Sequence, residues 1–173
     1  MTALWTIGHG TADAATFVAR LDAAGVRRVV DVRRFPGSRR WPWFNAAALA
    51  AWLPERGIGY VPAPELGGRR IPLPDSPNVV LREAGFRGYA DYMATAPFRS
   101  GFAELLAEAA ETPTAIMCSE TLWWRCHRRL IADAAVLLRG ASVVHLVGGA
   151  QQPHKVTPGA RAAVDAVIYD DAG

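Results

Sequence analysis

The chain alternates short apolar segments rich in β-branched residues with longer segments whose apolar residues recur at helical spacing. Residues 4–7 show the first pattern, and residues 13–24 show the second, with Phe17, Val18 and Leu21 on one helical face. Strands that alternate with helices pair in parallel, because each helix carries the chain back across the sheet. This order predicts an α/β fold in which helices flank both faces of a mainly parallel β-sheet, a Rossmann-like layering.

The same two patterns divide the rest of the chain. Further strands are predicted over residues 28–32, 60–61, 114–117, 142–147 and 167–169. Helices are predicted over residues 46–56, 88–110, 126–139 and 158–166. Residues 62–77 are rich in proline and glycine, which predicts a long irregular loop. Because no repeat or long linker interrupts this order, residues 1–173 are expected to form a single domain.

The composition is that of a folded protein, with 51% hydrophobic and 20% charged residues. It excludes disordered, collagen-like and coiled-coil chains. No apolar run reaches the roughly 20 residues needed to cross a bilayer, and residues 1–10 lack the pattern of a signal peptide. We therefore expect a cytoplasmic protein without a membrane partner, in which Cys118 and Cys126 stay reduced.

The positive charge is small but unevenly distributed. The net charge is +3, every basic residue except Lys155 is an arginine, and the arginine-rich segment 27–40 contains one acid, Asp31. A guanidinium group can bind a phosphate or carboxylate at two points and can stack on a base. Codon bias would explain the scarcity of lysine but not this clustering. The segment therefore predicts a face that binds a phosphate-bearing ligand.

Polar residues and glycines directly follow the predicted strands. They are Gly8-His9-Gly10 after the first strand, Asp31 and Arg33 at the end of the second, residues 65–70 after the third and Cys118-Ser119-Glu120 after the fourth. Ligands of parallel α/β sheets bind beyond the carboxyl ends of the strands. The sequence therefore predicts a site at this edge of the sheet.

The candidate binding residues each have a structural alternative. The Gly8 to Gly10 turn can direct backbone amides at an anion, but any tight strand-to-helix turn also favours glycine. Trp41 and Trp43 either stack on a base or pack their loop onto the core. The candidates for substrate binding are Gly8, Arg33, Arg39, Arg40, Trp41, Trp43, Glu65, Gly67, Arg69 and Arg128.

The candidate catalytic residues also have more than one interpretation. Glu120 either acts as an acid or base or pairs with an arginine, and Cys118 is either a thiolate nucleophile or a small core residue. Asp31 either orients Arg33 or His9, acts as a base, or forms a buried ion pair. The catalytic candidates are Glu120, His9, Asp31, Cys118 and His127.

A divalent metal bound by Cys118, Cys126 and His127 is the alternative that we consider for this segment. The spacing of these residues fits no known zinc finger, and neighbouring positions of a helix point about 100° apart. No metal or other cofactor is therefore predicted.

Further histidines and tryptophans lie outside these motifs. His145, inside an apolar strand, is expected to be a hydrogen-bonded core residue, and His154 is expected at the rim of the site. Trp123 and Trp124 fit a pocket, an interface or the core, so the sequence does not fix the oligomeric state.

Together these motifs resemble a bacterial and archaeal family, the domain of unknown function 488. The resemblance rests on Thr6-Ile7-Gly8-His9-Gly10, Asp31-Val32-Arg33, Phe35-Pro36, Ser38-Arg39-Arg40, Phe44-Asn45, Glu65-Leu66-Gly67-Gly68, Gly88-Tyr89-Ala90-Asp91-Tyr92-Met93, Met117-Cys118-Ser119-Glu120 and Cys126-His127-Arg128. It implies a single α/β domain with these motifs grouped at one site, and a pocket shaped by Tyr89 or Tyr92. Gly10 stands where the family more often has serine, and Trp123-Trp124 replaces more polar residues.

The leading hypothesis is an enzyme, a hydrolase or a transferase, that acts on a nucleotide or nucleic acid. In this hypothesis the arginines bind phosphate, Trp41 or Trp43 stacks on a base, and Glu120 serves as acid or base assisted by His9 or His127. One alternative is a nucleic-acid-binding module without catalysis. The other is a metal- or thiol-dependent enzyme that acts on a small acidic metabolite.

Overall fold

Strand β1 (Ala3–Gly8) lies at the middle of a six-stranded sheet in the computed structural model, which describes residues 1–172. It pairs in parallel with β4 (Thr114–Cys118) on one side and with β5 (Ser142–Val147) on the other. Strand β2 (Arg28–Asp31) lies between β4 and β3 (Gly59–Pro62), again in parallel. Every residue of β4 is buried, as expected for a central strand covered on both faces.

The C-terminal part of the chain differs from the prediction. Strand β6 (Ala150–Pro153) adds antiparallel to β5 and completes the order β3-β2-β4-β1-β5-β6. The helix predicted over residues 158–166 is wrong, because β7 (Ala160–Ala163) pairs with β8 (Ala166–Tyr169) as a separate antiparallel hairpin. Gly159 adopts a φ of +83°, a left-handed conformation that a right-handed helix cannot contain.

Among residues 1–172, five α-helices flank the sheet. They are α1 (Ala14–Ala23), α2 (Ala46–Glu55), α3 (Ala84–Met93), α4 (Ala96–Glu111) and α5 (Arg128–Arg139). The single helix predicted over residues 88–110 is therefore two, and a proline in the first turn of α4 fits a helix that begins there. None of the helices within residues 1–172 combines the length and apolar character needed to span a membrane.

The two faces of the sheet carry separate cores, and strand residues alternate between them. Met117 packs in the core that contains Phe17 of α1 and Leu49 of α2. Ile116, its neighbour in β4, packs in the core that contains Phe102 of α4 and Leu130 of α5. Helices thus cover both faces of a mainly parallel sheet, which confirms the predicted fold class.

Candidate active site at the carboxyl edge of the sheet

A cavity of about 770 Å³ opens at the edge of the sheet where β1, β2 and β4 end. Its wall contains His9, which follows β1, Arg33, which follows β2, and Cys118 with Glu120 at the end of β4. Further parts of the wall come from the 34–41 loop, residues 68–69, residues 83–89 and residues 125–127. This is the edge to which the sequence assigned the candidate residues.

The glycines of the first motif allow two backbone segments to meet beneath the cavity. A Cβ on Gly8 would overlap the carbonyl oxygen of Glu120. The His9 amide donates to the Cys118 carbonyl at 2.9 Å, and the Gly10 amide donates to the Ser119 carbonyl at 3.0 Å. The expectation that the amides of this turn face an anion is therefore wrong for these two groups, because both already hold the loop after β4.

Asp31 and Arg33 form a buried ion pair. The guanidinium Nε and Nη2 atoms donate to the two carboxylate oxygens at 2.8 and 2.7 Å, and the side chains are 0% and 7% exposed for Asp31 and Arg33. The Tyr60 hydroxyl also donates to Asp31, at 2.6 Å. Although burial opposes its charge, the contact with Asp31 raises the pKa of Arg33. Asp31 thus orients Arg33, whose guanidinium group lines the cavity.

His9 presents an unprotonated ring nitrogen beside that guanidinium group. Its Nδ1 lies 2.9 Å from the Gly10 carbonyl oxygen, which can only accept, so Nδ1 carries the proton. Its Nε2 lies 3.5 Å from Nη1 of Arg33, and its ring stacks on Phe44. Burial, followed by the charge of Arg33, lowers the pKa of His9. His9 is therefore neutral at neutral pH.

The two cysteines form a buried pair in the floor of the cavity. The Sγ atoms of Cys118 and Cys126 lie 2.6 Å apart, and both residues line the cavity although each is about 5% exposed or less. Cys126 also lies 3.4 Å from Nε of Arg128 and 3.6 Å from Nδ1 of His127. The two sulfur atoms therefore have different surroundings.

These surroundings separate the acidities of the two thiols. Burial raises the pKa of the Cys118 thiol, and the contact with Cys126 raises it further. Burial also opposes ionisation of Cys126, but the hydrogen bond with Cys118 and the charges of His127 and Arg128 hold its pKa well below the ordinary value. The two shifts have opposite directions, and they favour ionisation of Cys126 before ionisation of Cys118.

The backbone before α5 brings His127 back to Cys126. The prediction placed both residues in a helix, where their side chains would diverge, but Cys126 is extended, with φ −124° and ψ 150°. His127 Nε2 lies 2.9 Å from the Val32 carbonyl oxygen and so carries a proton, which leaves Nδ1 facing Cys126. The two residues form a cysteine–histidine pair.

A chain of hydrogen bonds links Arg128 to a buried carboxylate. Arg128 donates to the Thr6 hydroxyl at 3.2 Å, and that hydroxyl lies 2.6 Å from Nδ1 of His145. His145 Nε2 lies 2.8 Å from His154 Nδ1, and His154 Nε2 lies 2.8 Å from Asp133. All donors can point the same way, from the guanidinium cation to the carboxylate anion. The chain therefore provides a buried counter-charge for Arg128.

This chain decides the positions of the two outlying histidines. His145 is a hydrogen-bonded core residue, as predicted, and it stacks on Trp123 with ring centroids 4.1 Å apart. His154 is not at the rim, since its side chain is fully buried beside Asp133. Trp124 is 41% exposed and does not line the main cavity.

The structure brings together about half of the residues predicted for the site. The cavity wall contains His9, Arg33, Trp41, Arg69, Cys118, Glu120 and His127. It does not contain Gly8, Asp31, Arg39, Arg40, Trp43, Glu65, Gly67 or Arg128.

The predicted residues outside the wall support it from behind or lie apart. Asp31 and Arg128 are buried and hold Arg33 and Cys126. Gly67 is a close-contact glycine, since a Cβ there would meet the backbone of Arg34. The remaining positions are as follows: Arg39 and Arg40 are exposed, Trp43 donates to the Ala12 carbonyl, and the Glu65 carbonyl accepts from Tyr92.

Sequence reasoning considered Cys118 as the thiolate and gave Cys126 a role only in the metal- or thiol-dependent alternative. The predicted helix start at Cys126 concealed the contact of its sulfur atom with Arg128. Tyr89, suggested by the family resemblance, lines the cavity and donates to the Leu66 carbonyl at 2.7 Å. Among residues 1–172, no group of three or more His, Cys, Asp or Glu side chains is arranged to hold a metal ion.

The fold and the cavity define an α/β protein with a cysteine pair and an arginine-lined cavity at the carboxyl edge of its sheet. The chain belongs to the family described as domain of unknown function DUF488, whose model matches residues 13–135. This confirms the resemblance drawn from the motifs. None of the curated proteins and none of the solved structures matches the chain. His145 and His154 lie beyond the matched residues.

Proposed function

We propose that the protein is an enzyme that uses the Cys126 thiolate for hydrolysis or group transfer on a phosphate-bearing substrate the size of a nucleotide. The observation that carries the proposal is the position of Cys126 in the cavity floor, in contact with Cys118, His127 and Arg128. A thiolate held by an adjacent imidazole and a guanidinium group is a strong nucleophile at neutral pH. We also propose a cytoplasmic location, because reducing conditions keep both cysteines as thiols.

In the proposed reaction, the Cys126 thiolate attacks an electrophilic phosphorus or carbon atom of the substrate. A bond to Sγ forms, and the bond to the leaving group breaks with its electron pair. The leaving group takes the proton that Nδ1 of His127 received when the Cys126 thiol ionised. Water then attacks the Sγ-bound group, which releases the product and the thiolate, and the proton of that water returns to His127. An acceptor other than water gives transfer instead of hydrolysis.

Arg33 supports the choice of an anionic substrate. Its Nε and Nη2 atoms are used by Asp31, and Nη2 also donates to the Phe44 carbonyl, so Nη1 is the part left towards His9 and the cavity. A fixed donor of this kind binds phosphate without the entropy cost of ordering a mobile side chain. The cavity volume of about 770 Å³ is within the range of small-molecule sites.

Glu120 has a smaller role in this reaction than the sequence suggested. Its carboxylate is exposed at the cavity rim and accepts from the backbone amide of Leu122 at 3.1 Å. Its carbonyl oxygen accepts from Arg128. Both contacts stabilise the loop after β4, which is the segment that carries Cys118.

The decisive experiment is a titration of thiolate ultraviolet absorbance against pH. The wild-type protein is expected to ionise one thiol well below the pH at which an ordinary thiol ionises, and Cys126→Ser is expected to remove this transition. In Cys118→Ala the transition should move upward, because the group that donates to the thiolate is removed. A wild type whose first thiol ionises near pH 8.5, as in an unfolded chain, would refute the nucleophile.

Catalytic activity should also depend on Cys126. We expect one member of a panel of nucleotides and sugar phosphates to be converted, and Cys126→Ser to lose this activity while Glu120→Gln retains most of it. Retained activity in Cys126→Ser would contradict the proposal.

A second candidate function is nucleic-acid binding without catalysis, and exposed side chains in the wall of the main cavity favour it. Phe35 is 62% exposed, and the guanidinium groups of Arg34 and Arg69 lie 5.4 and 5.9 Å from its ring centroid. Exposed aromatic rings beside arginines bind single strands by stacking and charge. The affinity for a labelled oligonucleotide would then decrease as the salt concentration rises, and it would also decrease in Phe35→Ala. Ile71→Ala, which changes another exposed apolar side chain, and Cys126→Ser would bind the oligonucleotide as tightly as the wild type.

A further inference from the structure

A second cavity of about 880 Å³ adjoins the main one. The two cavities share Glu83, Phe86, Glu120 and Arg125 in their walls, so they form neighbouring parts of one cleft. The far wall of the second cavity comes from the start of α5 and from the loop between β6 and β7. Nothing in the proposed reaction uses this part of the cleft.

Two residues of that wall each have a buried polar atom without a hydrogen-bond partner. The atoms are Nε of Arg129 and Oγ1 of Thr157, and among the described residues no other buried side-chain nitrogen or oxygen atom lacks a partner. Thr157 is 7% exposed, and its backbone amide is fixed by a 2.9 Å bond to Asp133. A buried polar group without a partner is costly, so both groups are expected to serve a ligand.

The orientation and charge of the wall favour an anion. The Arg129 guanidinium group is held over the Phe86 ring, 4.9 Å from its centroid, and donates to the Trp124 carbonyl at 3.3 Å. Arg82 and Arg125 also line the cavity, so three arginines face two glutamates there. The partnerless Nε and the Thr157 hydroxyl can both donate, which matches the acceptor oxygens of a phosphate.

We infer that the second cavity is a subsite for a second phosphate group of the substrate, bound by Arg129 and Thr157. This rests on the proposed function, in which the reacting group lies at Cys126 in the main cavity. The substrate class is then narrowed to molecules with two separated phosphate groups, of which a two-residue oligonucleotide with a 5′ phosphate is an example. A single phosphate, such as inorganic phosphate, occupies the subsite more weakly.

The test is a titration with inorganic phosphate followed by ¹H–¹⁵N correlation spectra, in which the Arg129 Nε–H group gives its own signal. We expect saturable shifts of this signal and of the Thr157 amide. Thr157→Val keeps the shape of the side chain but removes the hydroxyl, so the affinity measured at Arg129 should fall about 10-fold to 100-fold. Thr2→Val, which lies outside both cavities, should leave it unchanged.

A stability measurement separates ligand binding from a structural role of the hydroxyl. Without phosphate, Thr157→Val should raise Tm by about 2–4 °C, because a buried group without a partner is removed. A lower Tm would show that the hydroxyl has a structural partner, which would overturn the inference. Arg129→Lys, which keeps the charge but loses Nε, provides a second variant with the same expected loss of phosphate affinity.

The outcomes also distinguish the inference from the proposed function. Shifts at Arg33 without shifts at Arg129 would overturn the second subsite and leave the thiolate chemistry intact. Shifts at Arg129 in a protein whose thiol ionises only near pH 8.5 would refute the proposed function while retaining the anion site. The thiolate transition itself should be the same in Thr157→Val and in the wild type.

Discussion

Replacing Asp31 with asparagine is expected to be among the most destabilising single changes at the site. Asp31 is 1% exposed and accepts from the backbone amide, Nε and Nη2 of Arg33 and from the Tyr60 hydroxyl. An asparagine side chain at this position would keep the shape but lose the negative charge, and its amide group would turn a donor toward the guanidinium donors. Arg33 would then be a buried cation without a counter-ion.

The magnitude follows from the burial of the pair. Breaking a buried pair by removing one partner costs about 3–5 kcal/mol, which is a large part of the 5–15 kcal/mol that stabilises a typical domain. The matched control is Asp22→Asn, which removes an ion pair with Arg27 whose side chains are 51% and 48% exposed. Exposed pairs contribute about 1 kcal/mol or less.

Urea denaturation at pH 7, extrapolated linearly to water, measures both changes. The double variant Asp31→Leu with Arg33→Met should recover most of the lost stability, because the uncompensated charge is removed with its partner. A loss below about 1 kcal/mol for Asp31→Asn, equal to that of Asp22→Asn, would refute the reasoning that burial makes this pair different.

Two other predictions concern the backbone and the buried histidines. Gly8→Ala should displace the loop after β4 and destabilise the protein, because the new Cβ overlaps the Glu120 carbonyl. In the control Gly85→Ala the new Cβ meets no atom within 4 Å, so this change should be tolerated. Thermal unfolding compares the two variants, and equal Tm values would contradict the close contact at Gly8. Burial lowers the pKa of His145 from 6.5 to about 3. Between about pH 6.5 and pH 3 the unfolded chain therefore binds a proton at this residue that the folded protein does not bind. The contribution of His145 to the stability falls by about 1.4 kcal/mol for each pH unit that the pH is lowered in this range. His145→Gln should show a shallower loss in urea titrations at several pH values, and parallel curves would contradict the prediction.

The sequence prediction was accurate where neighbouring residues determine the structure and inaccurate where contacts with distant residues determine it. The strands at residues 4–7, 114–117 and 142–147 were predicted almost to their ends, because apolar β-branched runs between helices have few other solutions. The helix predicted over residues 158–166 failed because an alanine-rich segment has high helix propensity, while Gly159 and pairing with β8 decide its structure. Pairing with a distant strand is not visible in a local pattern.

In the candidate site, too, contacts between neighbouring residues were predictable and contacts between distant residues were not. The position of Arg33 next to Asp31 on one face of an extended chain was visible, since side chains alternate along a strand. The pairing of Cys126 with His127 was not, because the prediction assumed a helix where the backbone is extended. The hydrogen-bond chain from Arg128 through Thr6 and His145 joins residues more than 100 positions apart, so no spacing in the sequence could indicate it.

The sequence by itself determined the α/β class, the family and the edge of the sheet at which the polar motifs collect. These follow from periodicity and from the order of strands and helices, which are properties of consecutive residues. Only the tertiary structure decided how the surroundings of the two cysteines differ and which donors lack a partner. Both depend on burial and on charges contributed by several distant segments, and a pKa responds to those surroundings rather than to neighbours in sequence.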